Sequence, residues 1–276
     1  MTTRTIRFSK LDEKVLTTVL RHGCLTTEHA QALIWPTNSP EARAAWKVLD
    51  RLREAGYLAK TKSRPTVWWL SADGRKMLAR KRPGVTEEKA LGPLRPHWEG
   101  VNDVHVAFVR AAIAHGDICG PTDFETEIGL GSEAGSQPVV RADGLLHYTV
   151  RDEGSATFRD AFVELHRATY GLQRLTAKLR AYASVASRKH LWESRFPGEF
   201  PPVLVIVDAD RPATVLAGAL EYHRLDAERT GTDPLVYMTT LEVLKNRGAR
   251  EPIWHAVDGR VVDWLAEAVD DLTTET

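Results

Sequence analysis

Four acidic side chains fall on strands predicted for the middle of the chain, and their spacing allows them to act together. Glu164 interrupts the apolar strand pattern AFVELHRAT, where an unpaired carboxylate on a sheet face is costly. Asp143, on the preceding strand, can stand beside it, and Glu125 or Glu127 can approach from the strand before that. Two or three carboxylates converging at a strand end bind a hard cation such as Mg²⁺ through oxygen. Such an ion can polarise a phosphodiester, so the spacing allows metal-assisted hydrolysis.

A lysine on the helix after this strand can compensate the charge of Glu164. Lys178 lies beside the apolar stripe of Leu175, Leu179 and Tyr182, so its long side chain can lean back toward the sheet and orient an attacking water. The alternative is an ion pair of Glu164 with Lys178 or Arg167 that does no chemistry. His166 has the same two interpretations, a substrate or metal contact or a packed, hydrogen-bonded residue.

The elements that would position these residues form an α/β domain. A helix is expected at VNDVHVAFVRAAIAHG, strands at DFETEIGL, VRADGLLHYTV and AFVELHRAT, a helix at 171–182, and a buried strand at PPVLVIVDAD. The second strand is expected to be interrupted at Asp143 and Gly144. Three hairpin-linked strands before a helical crossover predict a mixed sheet flanked by helices. A further helix, a short strand at PLVYMTT and a terminal helix around VVDWLAEAV complete the chain.

The first third of the chain has the element order of a winged helix-turn-helix. Helices are expected at LDEKVLTTVLRHG, TTEHAQALIW and SPEARAAWKVLDRLREAG, then strands at YLAKTK and TVWWLS and a helix at SADGRKMLARK. On the third helix Trp46, Leu49 and Leu52 are expected to face inward.

Basic residues mark a candidate DNA-binding surface on this unit. One face of the third helix and the wing supply, in order, Arg43, Lys47, Arg51, Lys60, Lys62 and Arg64. The helix face could lie in a major groove while the wing meets phosphates. The alternatives are a solvated basic helix face or a winged helix used for protein contacts, including dimerisation.

Charge and composition indicate which partners, domain division and cellular location to expect. Residues 1–85 contain 17 Lys and Arg against 7 Asp and Glu, and the rest contains 20 against 30, which suggests an anionic partner for the first part and a cation site in the second, or merely uneven surface charge. We place a domain boundary near residue 90, giving domains 1–90 and 91–276. Cys24 and Cys119 are expected to be ordinary buried thiols. Without a membrane-length apolar run or a signal peptide, a cytoplasmic protein is expected.

A family resemblance is carried by RADGLLHY and by AFVELHRATYGLQRLTAKLRAY, following the winged helix pattern. Together they resemble the replication-relaxation family of plasmids, phages and integrative elements, over roughly residues 10–210. The resemblance implies a DNA-binding protein that acts in control of plasmid replication or transfer. Its expected partners are double-stranded DNA, replication or transfer proteins, and a second copy in a homodimer.

The second half is similar to the PD-(D/E)XK restriction-endonuclease-like fold, which implies a Mg²⁺-dependent DNA endonuclease. Asp143 matches the first acid and Glu164 the second, with Glu127, or Glu125, as a weaker match for a third metal ligand. The lysine position two residues after Glu164 holds His166, and Lys178 would replace that lysine. The alternative is a non-catalytic transcription or replication regulator with a degenerate nuclease-like domain. An ATPase is disfavoured because GLGSEAGS lacks the Lys-Ser/Thr of a P-loop.

Overall fold

The N-terminal unit combines short helices with a small sheet. The structure, a computed structural model, describes residues 8–35, 44–62, 64–81, 95–132, 137–152, 154–167, 171–230 and 235–266. The unit contains α1 (Lys10–His22), β1 (Cys24–Thr26), α2 (Thr27–Ile34), α3 (Ala45–Glu54), β2 (Leu58–Lys60), β3 (Val67–Leu70) and α4 (Ala72–Lys81). Strand β3 lies between β1 and β2 and pairs antiparallel with both. Helices and the hairpin lie where the sequence predicts them, but the predicted start of the third helix, residues 39–43, lies outside the described residues. Strand β1, three buried residues, is too short to be recognised from periodicity.

The second unit is built on a seven-stranded mixed sheet. Its elements are α5 (Arg95–His115), β4 (Phe124–Leu130), β5 (Val140–Asp152), β6 (Ser155–Arg167), α6 (Gly171–Ala186), β7 (Val203–Asp208), α7 (Pro212–Thr230), β8 (Val236–Thr240), α8 (Leu241–Arg247), β9 (Trp254–Ala256) and β10 (Val261–Val262). The strands follow the order β10-β9-β8-β7-β6-β5-β4. Strands β6, β7 and β8 run parallel, and the other neighbours are antiparallel. The predicted α/β class and mixed sheet are confirmed.

Helices cover both faces of this sheet. On one face α5 and α8 pack over apolar residues such as Leu146, Val163 and Ile206, and on the other α6 and α7 pack over Phe162 and Val205. Strand β7 is the fourth of seven, and its apolar residues are buried, as its unbroken β-branched run predicts. Among the described residues no helix is long and apolar enough to cross a membrane.

Strand β5 runs without interruption, contrary to the sequence prediction. Gly144 pairs with Thr126 on one side and with Val163 on the other. A Cβ at position 144 would lie 2.1 Å from the Phe124 ring, so the glycine admits that ring to the sheet. Its role is therefore to allow close packing at this point of the strand.

The C-terminal prediction is also corrected. Val261 and Val262 form the short strand β10, and Trp264–Ala266 form a turn instead of a helix. Trp264 and Leu265 are buried in the core that includes Trp254. Apolar residues in a two-residue strand and the turn behind it imitate helical spacing, which explains the error. The remainder of the proposed terminal helix, from residue 267, lies outside the described residues.

Polar contacts and a shared core join the two units. Asn102 on α5 contacts His22 Nδ1 at 2.8 Å through its Oδ1 and donates to the Cys24 carbonyl at 2.6 Å. His29 Nε2 lies 2.8 Å from Asp103 Oδ1. One continuous apolar core contains residues of α1, α3 and the sheet. The residues around the boundary expected near residue 90 lie outside the described part, but the units on either side of it are packed together.

Candidate functional site

The sheet forks between β5 and β6, and the fork opens a cavity. The two strands pair from Asp152 opposite Ser155 up to Gly144 opposite Val163. Beyond these residues β5 continues to pair with β4 only, and β6 with β7 only. A cavity of about 490 Å³ lies here, lined by the separated strands, the start of α5, α6 and the end of α1. The fork therefore brings side chains of both strands to the wall of one cavity.

Asp143 and Glu164 lie at the fork, and Lys178 bridges them. Lys178 Nζ donates to Asp143 Oδ1 at 3.1 Å and contacts Glu164 Oε2. Asp143 Oδ2 accepts the backbone N–H of Leu165 at 2.9 Å, because β5 no longer pairs with that strand. The Tyr182 hydroxyl donates to Glu164 Oε1 at 2.5 Å. All four carboxylate oxygens thus have a protein partner, and Lys178 leans back from α6 as its position on the helix predicts.

His97 completes the cluster from α5. Its Nε2 lies 3.4 Å from Asp143 Oδ1, while its buried Nδ1 has no hydrogen-bond partner among the described residues. The sequence did not single out this residue, because it lies between the domain boundary expected near residue 90 and the helix expected from Val101. The apolar helical period begins only at Val101, whereas the helix itself begins at Arg95, so periodicity gave no signal for it.

Burial and neighbouring charges shift the pKa values of Glu164 and Asp143 in opposite directions. Burial raises the pKa of Glu164 well above its usual 4.5, the Asp143 charge raises it further, and Lys178 and Tyr182 only partly oppose this. Burial also acts to raise the pKa of Asp143, but contact with His97 and the Lys178 charge outweigh it and lower that pKa to about 2. Burial acts to lower the pKa of Lys178, yet both acids raise it. Asp143 is therefore the anion of the pair, and Glu164 is the group that holds a proton more readily.

Two further residues proposed for this site line the cavity. Glu127 follows Thr126 on β4, opposite the stretch of β5 that contains Asp143, and has a left-handed backbone with φ 57°. His166 is buried, and burial lowers its pKa, as do the charges of Arg174 and Lys178. Its imidazole thus favours the neutral form, and it forms part of the wall.

Glu125 belongs to a separate polar cluster. Its Oε1 lies 3.2 Å from His147 Nε2, and its Oε2 accepts from Arg195 at 3.0 Å. His147 Nδ1 lies 2.7 Å from Asp160 Oδ1, directly across the β5–β6 ladder. The hydrogen bond with Asp160 raises the pKa of His147 despite burial, and Glu125 adds to the effect. Of the two glutamates offered for the third acid, Glu127 is the one on the cavity wall.

The acid pair offers the oxygen ligands that Mg²⁺ prefers, but in this structure the two acids bind the Lys178 ammonium instead. Within the described ranges no group of three or more His, Cys, Asp or Glu side chains is arranged to hold a metal ion. The lysine ammonium lies between Asp143 and Glu164. A cation bound by both acids would have to displace it.

The proposed DNA-binding residues differ in whether an acidic partner already holds them. Lys47, Lys62 and Arg64 are exposed. Arg51 forms an ion pair with Asp12, the buried side chain that also caps the start of α1. Lys60 donates to Asp50 Oδ1 at 2.9 Å. Arg43 lies outside the described residues.

The inward position expected for Trp46 is wrong. Its side chain is 48% exposed, while Leu49 and Leu52 are fully buried as predicted. Lys60 Nζ lies 5.2 Å from the Trp46 ring centroid, a cation–π distance. Helical spacing places residue 46 near the inward stripe, but nothing covers its ring completely. An aromatic side chain therefore accompanies the exposed cations.

The fold and site define an α/β protein with a helical N-terminal unit and an acid–lysine centre in a forked sheet. A comparison with protein families matches residues 16–201 to the family described as Replication-relaxation. This match covers more than half of the chain, so the chain belongs to the replication-relaxation family. Neither the curated proteins nor the solved structures contain a match.

Proposed function

We propose that this protein binds double-stranded DNA through its N-terminal unit and acts in replication or transfer control of a plasmid or other mobile element. The proposal rests above all on the exposed cations Lys47, which lies on α3, and Lys62 and Arg64, which lie in the connection between β2 and β3. Exposed Lys and Arg side chains bind phosphates and release counterions. Membership of the replication-relaxation family supports a role in replication.

The element order supports the assignment of this unit as a winged helix-turn-helix. Helices α1, α2 and α3 precede the β2–β3 hairpin, and β1 closes a three-stranded antiparallel sheet against β3. In such modules the second helix of the helix-turn-helix enters the major groove. Here α3 would be that helix, and the β2–β3 hairpin would be the wing beside it.

Salt-dependent binding tests this function. We expect the combined substitution K47A, K62A and R64A to weaken binding to any duplex and to reduce the slope of log K against log salt by up to about 3, since each phosphate contact contributes roughly 0.9. The matched control is K189A, R229A and R247A, which removes three exposed cations from the second unit. Equal salt slopes for both triple variants and the wild type would rule out this surface.

A second candidate function, Mg²⁺-dependent DNA cleavage, is favoured by the convergence of Asp143, Glu164 and Lys178 in an accessible cavity. The element order helix, three strands, helix, strand also supports a nuclease-like domain. Asp143 and Glu164, with Glu127 as the third acid, would hold Mg²⁺ through their carboxylate oxygens, and the ion would supply polarisation of a phosphodiester. Lys178, released from the acids, would orient the attacking water. The strand itself lacks a lysine at the expected position, because the residue two after Glu164 is His166.

Calorimetry with Mg²⁺ or Mn²⁺ and nicking of supercoiled plasmid distinguish a catalytic from a non-catalytic acid–lysine centre. If the protein is a nuclease, the D143A/E164A variant loses both metal binding and nicking, and the K178A variant loses nicking. A non-catalytic domain shows neither metal binding nor nicking while the wild-type protein still retains DNA. The latter result would leave the acid–lysine cluster as a structural element of a DNA-binding regulator.

A further inference from the structure

Trp46 is a large apolar side chain held in an exposed position at the corner between α3 and the β2–β3 hairpin. It is the second residue of α3, and roughly 100 Å² of the indole remains in water, given 48% exposure and the usual size of the side chain. Lys60, on β2, lies over the ring and also donates to Asp50, one turn further along α3. These contacts hold the ring in place without covering it.

The surroundings favour nucleic acid as the partner of this ring. Lys47 follows it directly on α3 and is exposed, and Lys62 and Arg64 extend from the hairpin. A neutral apolar protein surface would leave these cations without partners, whereas the phosphates on both sides of a groove would meet them. An apolar ring flanked by cations therefore matches a base edge flanked by phosphates.

We propose that Trp46 reads the C5 methyl group of thymine in the major groove, an inference that rests on the proposed DNA-binding function. Residues at the N-terminal end of a recognition helix contact base edges, and Trp46 occupies this end of α3. The thymine methyl is the apolar group on the major-groove edge of a base pair, and apolar side chains contact it. The indole is then a specificity determinant, while the neighbouring cations supply affinity.

The test compares duplexes that differ by this methyl group alone. The probes are alternating A·T duplexes containing thymine or uracil, and alternating G·C duplexes containing cytosine or 5-methylcytosine. We expect the full-length wild type to bind the methylated member of each pair about fourfold more tightly, the equivalent of roughly 0.8 kcal/mol for one buried carbon group. W46A should bind both members equally, and W46F should keep most of the preference.

The control for loss of an exposed apolar side chain is I113A, because Ile113 on α5 is 46% exposed and lies in the other unit. I113A should keep the fourfold preference. Equal wild-type affinity for methylated and unmethylated duplexes overturns the inference and leaves the proposed function intact, as does an undiminished preference in W46A. Failure of the wild type to bind any duplex overturns both the inference and the function on which it rests.

Discussion

Replacing Asp143 by Asn tests whether the acid–lysine centre stabilises the fold. The pKa of Asp143 falls from 3.8 to about 2, mainly because His97 and Lys178 outweigh the effect of burial. At about 1.4 kcal/mol for each tenfold change in proton affinity, this fall stabilises the folded protein by roughly 2 kcal/mol at neutral pH. Asn keeps an oxygen that can accept from Leu165 N–H, so the substitution removes chiefly the charge.

The sign of the pH dependence follows from the direction of the pKa. A carboxyl group with a lowered folded-state pKa stabilises the protein above its unfolded pKa of 3.8, and this contribution disappears as the pH falls through about 2. We therefore expect D143N to cost roughly 2 kcal/mol at pH 7 and progressively less below pH 4. For 276 residues this corresponds to about 3 °C in Tm.

Urea unfolding and thermal melts between pH 3 and pH 7 measure this effect. The matched control is D210N, since Asp210 is exposed in the bend after β7. An unchanged or higher stability of D143N at pH 7 would refute the reasoning, because the cost of burying the Asp143 charge would then exceed the gain from its contacts with His97 and Lys178.

Three other substitutions test individual contacts. Y182F leaves Glu164 Oε1 without its donor and should cost about 1–3 kcal/mol in urea unfolding, whereas no loss would show that the hydrogen bond is unimportant. His147 has a raised pKa, so its charged contact with Asp160 stabilises the fold below pH 6.5 and is lost as the pH rises through the folded-state pKa. H147Q should therefore lower Tm more at pH 5.5 than at pH 8.5, and an equal loss at both would exclude this charge effect. G144A places a methyl group against a buried ring and should cost about 1–3 kcal/mol by calorimetry, with wild-type stability as the contrary result.

Sequence patterns predicted the features that depend on local periodicity. The β-branched run of β7 indicated a buried strand, and the strand-to-helix stretch containing Glu164 and Lys178 indicated that the lysine could reach back to the acid. Periodicity counts residue types and not neighbours, so it placed Trp46 inside although its ring is half exposed. The fork that opens beside Glu164 depends on which strands stop pairing, and no local pattern in either strand records that change.

Helix α1 connects the proposed DNA surface with the cavity. Near its start Asp12 pairs with Arg51 of α3, and near its end Arg21 lines the cavity and donates to the Thr122 carbonyl at 2.7 Å. Nine residues of helix separate these two contacts by roughly 14 Å. Because Thr126 also donates to the Arg21 carbonyl at 3.0 Å, the end of α1 is fixed to β4.

This connection bears on both proposed functions. A DNA duplex seated on α3 would lie at a fixed distance from the fork, since the two units share one apolar core. In a nuclease, that fixed distance would set the separation between the bound site and the cleaved bond. In a regulator, the Lys178 bridge between β5 and β6 would stabilise the sheet that shares its core with the proposed DNA-binding unit. The acid–lysine centre therefore matters in either case, through chemistry in the first and through the stability of the shared frame in the second.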